Sequence, residues 1–157
     1  MQNSKCKGIA LNAYILVGSQ NTRKSSTLRS LTGCFNRSIR DILLYNGKTI
    51  SVYARVASLQ ESRTSPIDYI NEATKTGCVN TIFCLWPTAN QINTKLYPDA
   101  SAYILAFKIA GWKISAVAIL GSSTFTPLNK RHYNFPNSTS APINSTASDV
   151  REYFRWQ

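Results

Sequence analysis

The chain holds a single histidine, His132, and four scattered cysteines, Cys6, Cys34, Cys78 and Cys84, with no C-x-x-C pair among them. That inventory argues against a zinc site. Cys78 and Cys84, beside or inside an apolar run, read as buried thiols packed like small hydrophobes. Charged residues are few, at 16%, while hydrophobic ones reach 43%, which excludes a disordered chain or a coiled coil and indicates a folded globular one. Acid is scarcer still: 7 Asp and Glu face 18 Lys and Arg, a formal net charge of +11. A surplus of that size points to a polyanionic partner, whether a nucleic acid, a nucleotide or an acidic protein surface. The first apolar run is interrupted by Asn12 and is too short to cross a membrane, and it lacks the form of a signal peptide. The expectation is a cytoplasmic protein with no membrane partner, in which the sequons at Asn36, Asn137 and Asn144 carry no glycan. No internal repeat is found, and 157 residues suit one domain covering 1–157.

What is present is a succession of apolar runs punctuated by turn and cap residues. Gly8 to Val17 ends in Tyr14-Ile15-Leu16-Val17, a run suited to a strand buried on both faces of a sheet. Ser25 to Leu31 is a short helix that Gly33 can stop. Ile39 to Tyr45 and Lys48 to Val56 flank Asn46-Gly47, a strong hairpin signature. Ser65-Pro66-Ile67-Asp68 opens a helix running toward Gly77, Val79 to Leu85 is a fourth strand, and Thr88 with Gln91 suggests a short helical turn. Asp99 to Ala110 carries a helical apolar stripe, Trp112 to Leu120 is the last strand, and Gly121 to Asn144 is a long Ser/Thr/Asn/Pro-rich connection. Ser148-Asp149 reads as the cap of a terminal helix bearing Val150, Tyr153, Phe154 and Trp156. The order predicts an α/β fold: a mostly parallel five-stranded sheet with one antiparallel hairpin strand and helices on both faces. Ligands of such sheets sit at the carboxyl ends of the strands, where the segment after Val17 emerges.

That segment is the most informative in the chain. Residues 13–33, AYILVGSQNTRKSSTLRSLTG, run strand, glycine, polar loop, Lys24-Ser25-Ser26, helix, glycine. Gly18 and Lys24 have the spacing of G-x-x-x-x-G-K-[ST], with Arg23 where the second glycine would stand. The stretch resembles the Walker A region of the P-loop nucleoside triphosphatase superfamily, and the element order is similar to that of its small members. The resemblance implies that backbone N–H groups from Gly18 through Ser19, Gln20, Asn21, Thr22, Arg23, Lys24, Ser25 and Ser26 cradle the phosphates of ATP or GTP. It implies further that the Lys24 ammonium meets the β and γ oxygens and that the Ser25 hydroxyl ligates Mg²⁺. Arg23 either adds a guanidinium to the cage or points to solvent.

Turnover requires a carboxylate for the metal and a group that orients the nucleophile. The fourth strand ends Cys84-Leu85-Trp86-Pro87 and offers no acid. In GTPase-like relatives the strand after such a hairpin carries the metal-side acid, which implies Glu61, with Gln60 as a water-orienting amide. Asp68 and Glu72, at i and i+4, read as a solvated helix face, and Asp99 and Asp149 as acids at helix starts. Lys130-Arg131-His132 lies in the long connection; in similar small kinases a basic segment closes over the phosphates, which implies a catalytic Arg131, while a solvated loop is the plainer reading. No N-K-x-D sequence fixes the base. The expectation is therefore a protein that binds NTP with Mg²⁺, with hydrolysis or phosphoryl transfer as a second step. The competing reading is a basic nucleic-acid-binding or adaptor subunit that stacks bases on Tyr133, Phe135 and Trp156.

Overall fold

The computed structural model describes residues 10–121, 125, 127 and 131–157. Cys6, Lys130 and the start of the first expected strand lie outside them. In chain order the elements are β1 (Asn12–Val17), α1 (Lys24–Thr32), β2 (Arg37–Leu43), β3 (Thr49–Ser58) and α2 (Pro66–Lys75). They continue with β4 (Asn80–Leu85), α3 (Ala100–Ile109), β5 (Lys113–Leu120), β6 (His132–Phe135) and α4 (Ile143–Phe154). The fold is α/β, with one mixed sheet of order β2-β3-β4-β1-β5-β6, parallel throughout except for the β2–β3 hairpin.

The sheet has six strands where the sequence predicts five. The sixth, His132–Phe135, is a four-residue edge strand inside the expected long connection, and so short a run leaves too little pattern to read. Two smaller expectations also change. Residues 88–91 form no helix, because Asn90 is spent on other bonds: its side-chain amide donates to the Gln60 carbonyl at 2.9 Å and its carbonyl oxygen accepts from the Ile92 N–H at 2.8 Å. The terminal helix starts at Ile143, directly after Pro142, so Ser148 and Asp149 sit within it rather than capping it. Thr146, Ala147, Val150 and Phe154 give this helix a buried stripe at i, i+4 spacing, and that stripe outweighs a local cap signature.

Strand periodicity divides the interior into two layers. On β1, Ala13, Ile15 and Val17 face the layer filled by Tyr69, Phe83, Tyr103 and Phe107 with α2 and α3. Leu16 faces the other, where α1 contributes Leu28 and Leu31, α4 contributes Val150 and Phe154, and Trp156 packs just beyond α4. A strand flanked by parallel neighbours and covered on both sides must be apolar at every position that meets a helix, as the run to Val17 is. Cys34, Cys78 and Cys84 are free and buried, and burial pushes the Cys84 thiol up to about 12. Among the described residues no helix is long and apolar enough to cross a membrane.

Candidate functional site

β1 lies between β4 and β5 in the middle of the sheet, so the loop after Val17 leaves from the centre of the carboxyl-terminal edge. Gly18 is anchored there by its N–H, which donates to the Leu85 carbonyl at 3.0 Å. A side chain at Gly18 would strike Thr22 and come within 3.1 Å of the Leu120 carbonyl. Thr22 is wedged between this glycine and Gly121, where a Cβ would lie 2.7 Å from the Thr22 methyl and the backbone has φ +79°. The Thr22 hydroxyl donates to the Ser19 carbonyl at 2.8 Å, and Ser138 donates to the Thr22 carbonyl at 3.2 Å. The loop is thereby closed on itself and tied to the turn that follows β6.

Within it, Asn21 and Arg23 adopt left-handed backbone, with φ of 67° and 66°, on either side of Thr22. Alternating signs of φ turn successive N–H groups toward one concave side, the backbone geometry of a nest. Arg23 thus occupies the position of the missing glycine in a conformation glycine favours. Its guanidinium donates to the Ala141 carbonyl at 3.0 Å, tying the loop to the segment before α4. Among the described residues, the N–H groups from Ser19 to Ser26 have no acceptor. α1 begins without a side-chain cap and without an acid in its first turn, so its positive dipole end also faces open space.

The chemistry-bearing side chains converge on a hollow of about 550 Å³ lined by Arg23, Lys24, Ser25, Ser58, Glu61 and Trp86, together with loop residues. Lys24 is only 7% exposed, and its ammonium folds back to the Ser19 carbonyl at 2.9 Å. Burial lowers its pKa, while the neighbouring Cys84 and Glu61 act in the opposite direction. The Ser25 hydroxyl has only a long 3.4 Å contact, to the Val56 carbonyl.

Glu61 comes from β3, which lies beyond β4 rather than beside β1. A register shift after Arg55 and a turn over residues 59–63 bring it across. Gln60 holds that turn: it is 0% exposed, its amide nitrogen donates to the Trp86 and Pro98 carbonyls at 2.8 and 3.2 Å, and its oxygen accepts from the Trp86 N–H at 2.9 Å. With its amide engaged in this way, Gln60 anchors the turn and does not orient a water.

Other expected residues fall elsewhere. Arg131 donates to the Tyr153 carbonyl at 3.1 Å, stacks 5.6 Å over the Tyr153 ring and lines a hollow with Asn12 and Lys113, the first residues of β1 and β5. Its backbone runs beside Val117, whose N–H donates to the Arg131 carbonyl at 3.0 Å, and its side chain lines that hollow at the amino-terminal end of the sheet and not the one beside Gly18. Two of the aromatics considered for base stacking are interior: Trp156 is packed against Tyr14 and Phe154, and Phe135 is buried, leaving Tyr133 exposed. Glu72 does not belong to a solvated face but pairs with Arg55 at 2.8 Å. Among the described residues no three His, Cys, Asp or Glu side chains converge to hold a metal.

Trp86 and Ser58 are the lining residues that sequence reasoning passed over. Ser58 ends β3 and Trp86 directly follows β4 at the same sheet edge as Gly18, and that position was the available clue.

The left-handed backbone at Arg23 yields a stability prediction. For a residue with a Cβ this conformation costs about 1–2 kcal/mol, so Arg23→Gly is expected to fold at least as stably as wild type despite losing the bond to Ala141. Arg23→Val, β-branched at φ +66°, is expected to lose about 2 kcal/mol. Urea denaturation of the two variants checks this, and an equally stable valine variant would contradict the assigned backbone.

Comparison of the chain with protein-family models, with curated proteins and with solved structures gives no match.

Proposed function

We propose that this protein binds a nucleoside triphosphate with Mg²⁺ through the loop Gly18–Ser26. The observation that carries the reading is the run of N–H groups from Ser19 to Ser26 without acceptors, curved by two left-handed residues around a hollow that also receives Lys24, Ser25 and Glu61. Unpaired N–H groups on a loop that lines this hollow, beside a buried ammonium and a helix N-terminus, suit a polyanion far better than a neutral ligand. A volume near 550 Å³ is in the range of small-molecule sites.

The donor set fits magnesium delivered with its nucleotide. Mg²⁺ takes one or two protein oxygens and fills its octahedron with phosphate and water, and the hollow offers one hydroxyl, Ser25, and one carboxylate, Glu61. When bound, the metal would neutralise charge between the β- and γ-phosphates. Lys24 exchanges its bond to the Ser19 carbonyl for one to phosphate, which regains a counter-charge for a buried cation. The indole of Trp86 offers a flat face at the rim on which either purine can stack. Hydrolysis or phosphoryl transfer would fall to the same Glu61 and Lys24, with no second acid lining the hollow among the described residues.

The test is thermal melting with ATP and with GTP, each with Mg²⁺. At about a hundred times Kd the midpoint is expected to rise by roughly 5–10 °C. Trp86 supplies a second readout, because Trp112 and Trp156 are buried and Trp86 alone of the three tryptophans reaches the hollow, so its fluorescence should respond. No shift with any triphosphate at millimolar concentration would end this reading.

A further inference from the structure

Ser25 and Glu61 form a shared wall. On its far side is a second hollow of about 340 Å³, whose remaining lining includes Arg29, Asn36, Arg37 and Arg55. Three guanidiniums against one lining carboxylate is an unusual local balance, and the bonds already made determine which donors are left over. Arg55 is committed: one nitrogen meets both oxygens of Glu72 at 2.8 Å and the other meets Ser62 and Thr64 at 2.9 Å. Arg29 uses only its Nε, which donates to the Phe35 carbonyl at 3.0 Å, while the guanidinium rests 4.9 Å above the Phe35 ring. Its two terminal nitrogens have no acceptor among the described residues. Arg37 has a 3.8 Å approach to Glu72 from a largely exposed position, too long to count as a hydrogen bond. The Asn36 side-chain amide likewise has no described partner. The hollow thus presents the Arg29 fork and the Asn36 amide unspent and an Arg37 fork held only by the 3.8 Å ion pair to Glu72, with Glu61 as the one carboxylate among its lining residues, and guanidinium forks match phosphate oxygens two at a time.

The geometry points to a second binding site here, for a phosphomonoester of small size, held by Arg29 and Arg37 next to the triphosphate loop. The volume suits a phosphate with a sugar-sized remainder and not a second triphosphate-sized ligand. Because Ser25 and Glu61 belong to both hollows, a phosphomonoester in one lies against the metal side of the other, and the site becomes a two-substrate site. This meaning rests on the triphosphate reading, but the binding itself does not.

Calorimetric titration with ribose 5-phosphate, with ribose as the uncharged control, tests the site without nucleotide. Wild type is expected to bind the phosphate ester and not the sugar. Binding should persist in Lys24→Met and weaken at least tenfold in Arg29→Ala/Arg37→Ala, both of whose changes are on exposed residues. The arginine double variant should still show the thermal shift with ATP and Mg²⁺. A wild-type protein that shifts with ATP but ignores ribose 5-phosphate would overturn the second site alone. Loss of ester binding in Lys24→Met, with none in the arginine variant, would also overturn it, because the ester would then be in the loop. A 5′-phosphorylated oligothymidylate that binds where ribose 5-phosphate does not would reject a small-molecule ligand in favour of a nucleic-acid end. If ATP gives no shift but the ester binds through Arg29 and Arg37, the triphosphate reading falls and the phosphomonoester site stands.

Discussion

Lys24→Met is expected to abolish the ATP-induced rise in melting temperature while leaving the ligand-free protein as stable as wild type or slightly more so. The two effects have one cause. Lys24 is buried, its ammonium has one carbonyl partner at 2.9 Å, and burial holds its pKa below the ordinary lysine value. The folded state therefore disfavours the bound proton, and the cost is present in full below the folded pKa. It is relieved as pH rises through that value toward the unfolded one. Methionine keeps the length and removes the charge, so the ligand-free variant should gain on the order of 1 kcal/mol at neutral pH, and the gap should close on the alkaline side. With triphosphate the balance reverses. Losing a charge-assisted contact to phosphate should weaken binding roughly 100-fold, by about 2–3 kcal/mol. Melting curves across pH, with and without ATP and Mg²⁺, measure both arms; an undiminished ATP shift in the variant would remove Lys24 from the site.

The largest stability loss is expected from Glu72→Ala, about 3–5 kcal/mol, the range for stranding one partner of a buried ion pair. Arg55 reaches Glu72 from β3 across the start of the Glu61 turn, and its side chain is only 10% exposed. The Tyr53 hydroxyl donates to the same carboxylate, and burial first, then Glu72, pushes that hydroxyl up to about 12, so it remains a donor at any physiological pH. Removing Glu72 leaves a guanidinium and a phenol in low dielectric without their anion. Because Arg55 also holds Ser62 and Thr64, which follow Glu61 in the chain, the variant should loosen the Glu61 carboxylate as well. Adding Arg55→Met to Glu72→Ala should recover a large part of the loss, since no charge then stays buried. Urea denaturation of the single and double variants decides this, and a loss below about 1 kcal/mol in Glu72→Ala would mean the pair is solvated.

Much of the architecture was legible along the chain. The run to Val17, the Asn46-Gly47 hairpin and the Ser65-Pro66 helix start are local patterns with local causes: burial on both faces, a turn needing positive φ, a cap beside a preset φ. The strand before Gly18 and the helix start at Lys24 were likewise placed by local pattern. Contacts between elements distant in sequence were not legible. Glu72 looks like any helical acid until β3 brings Arg55 beneath it, and Gln60 looks like loop polarity until β4 and the segment before α3 close on its amide. Arg131 sits near the loop or far from it according to where a four-residue edge strand begins. The sequence by itself therefore determined an α/β chain with a polar, Lys- and Ser-bearing loop at the end of its first strand. The tertiary structure decided the left-handed backbone at Arg23, the approach of Glu61 across an intervening strand, and the arginine-lined hollow behind it. The reason is physical: local patterns specify φ, ψ and which face is apolar, whereas the partner of a charge or an amide is chosen only when the sheet is assembled.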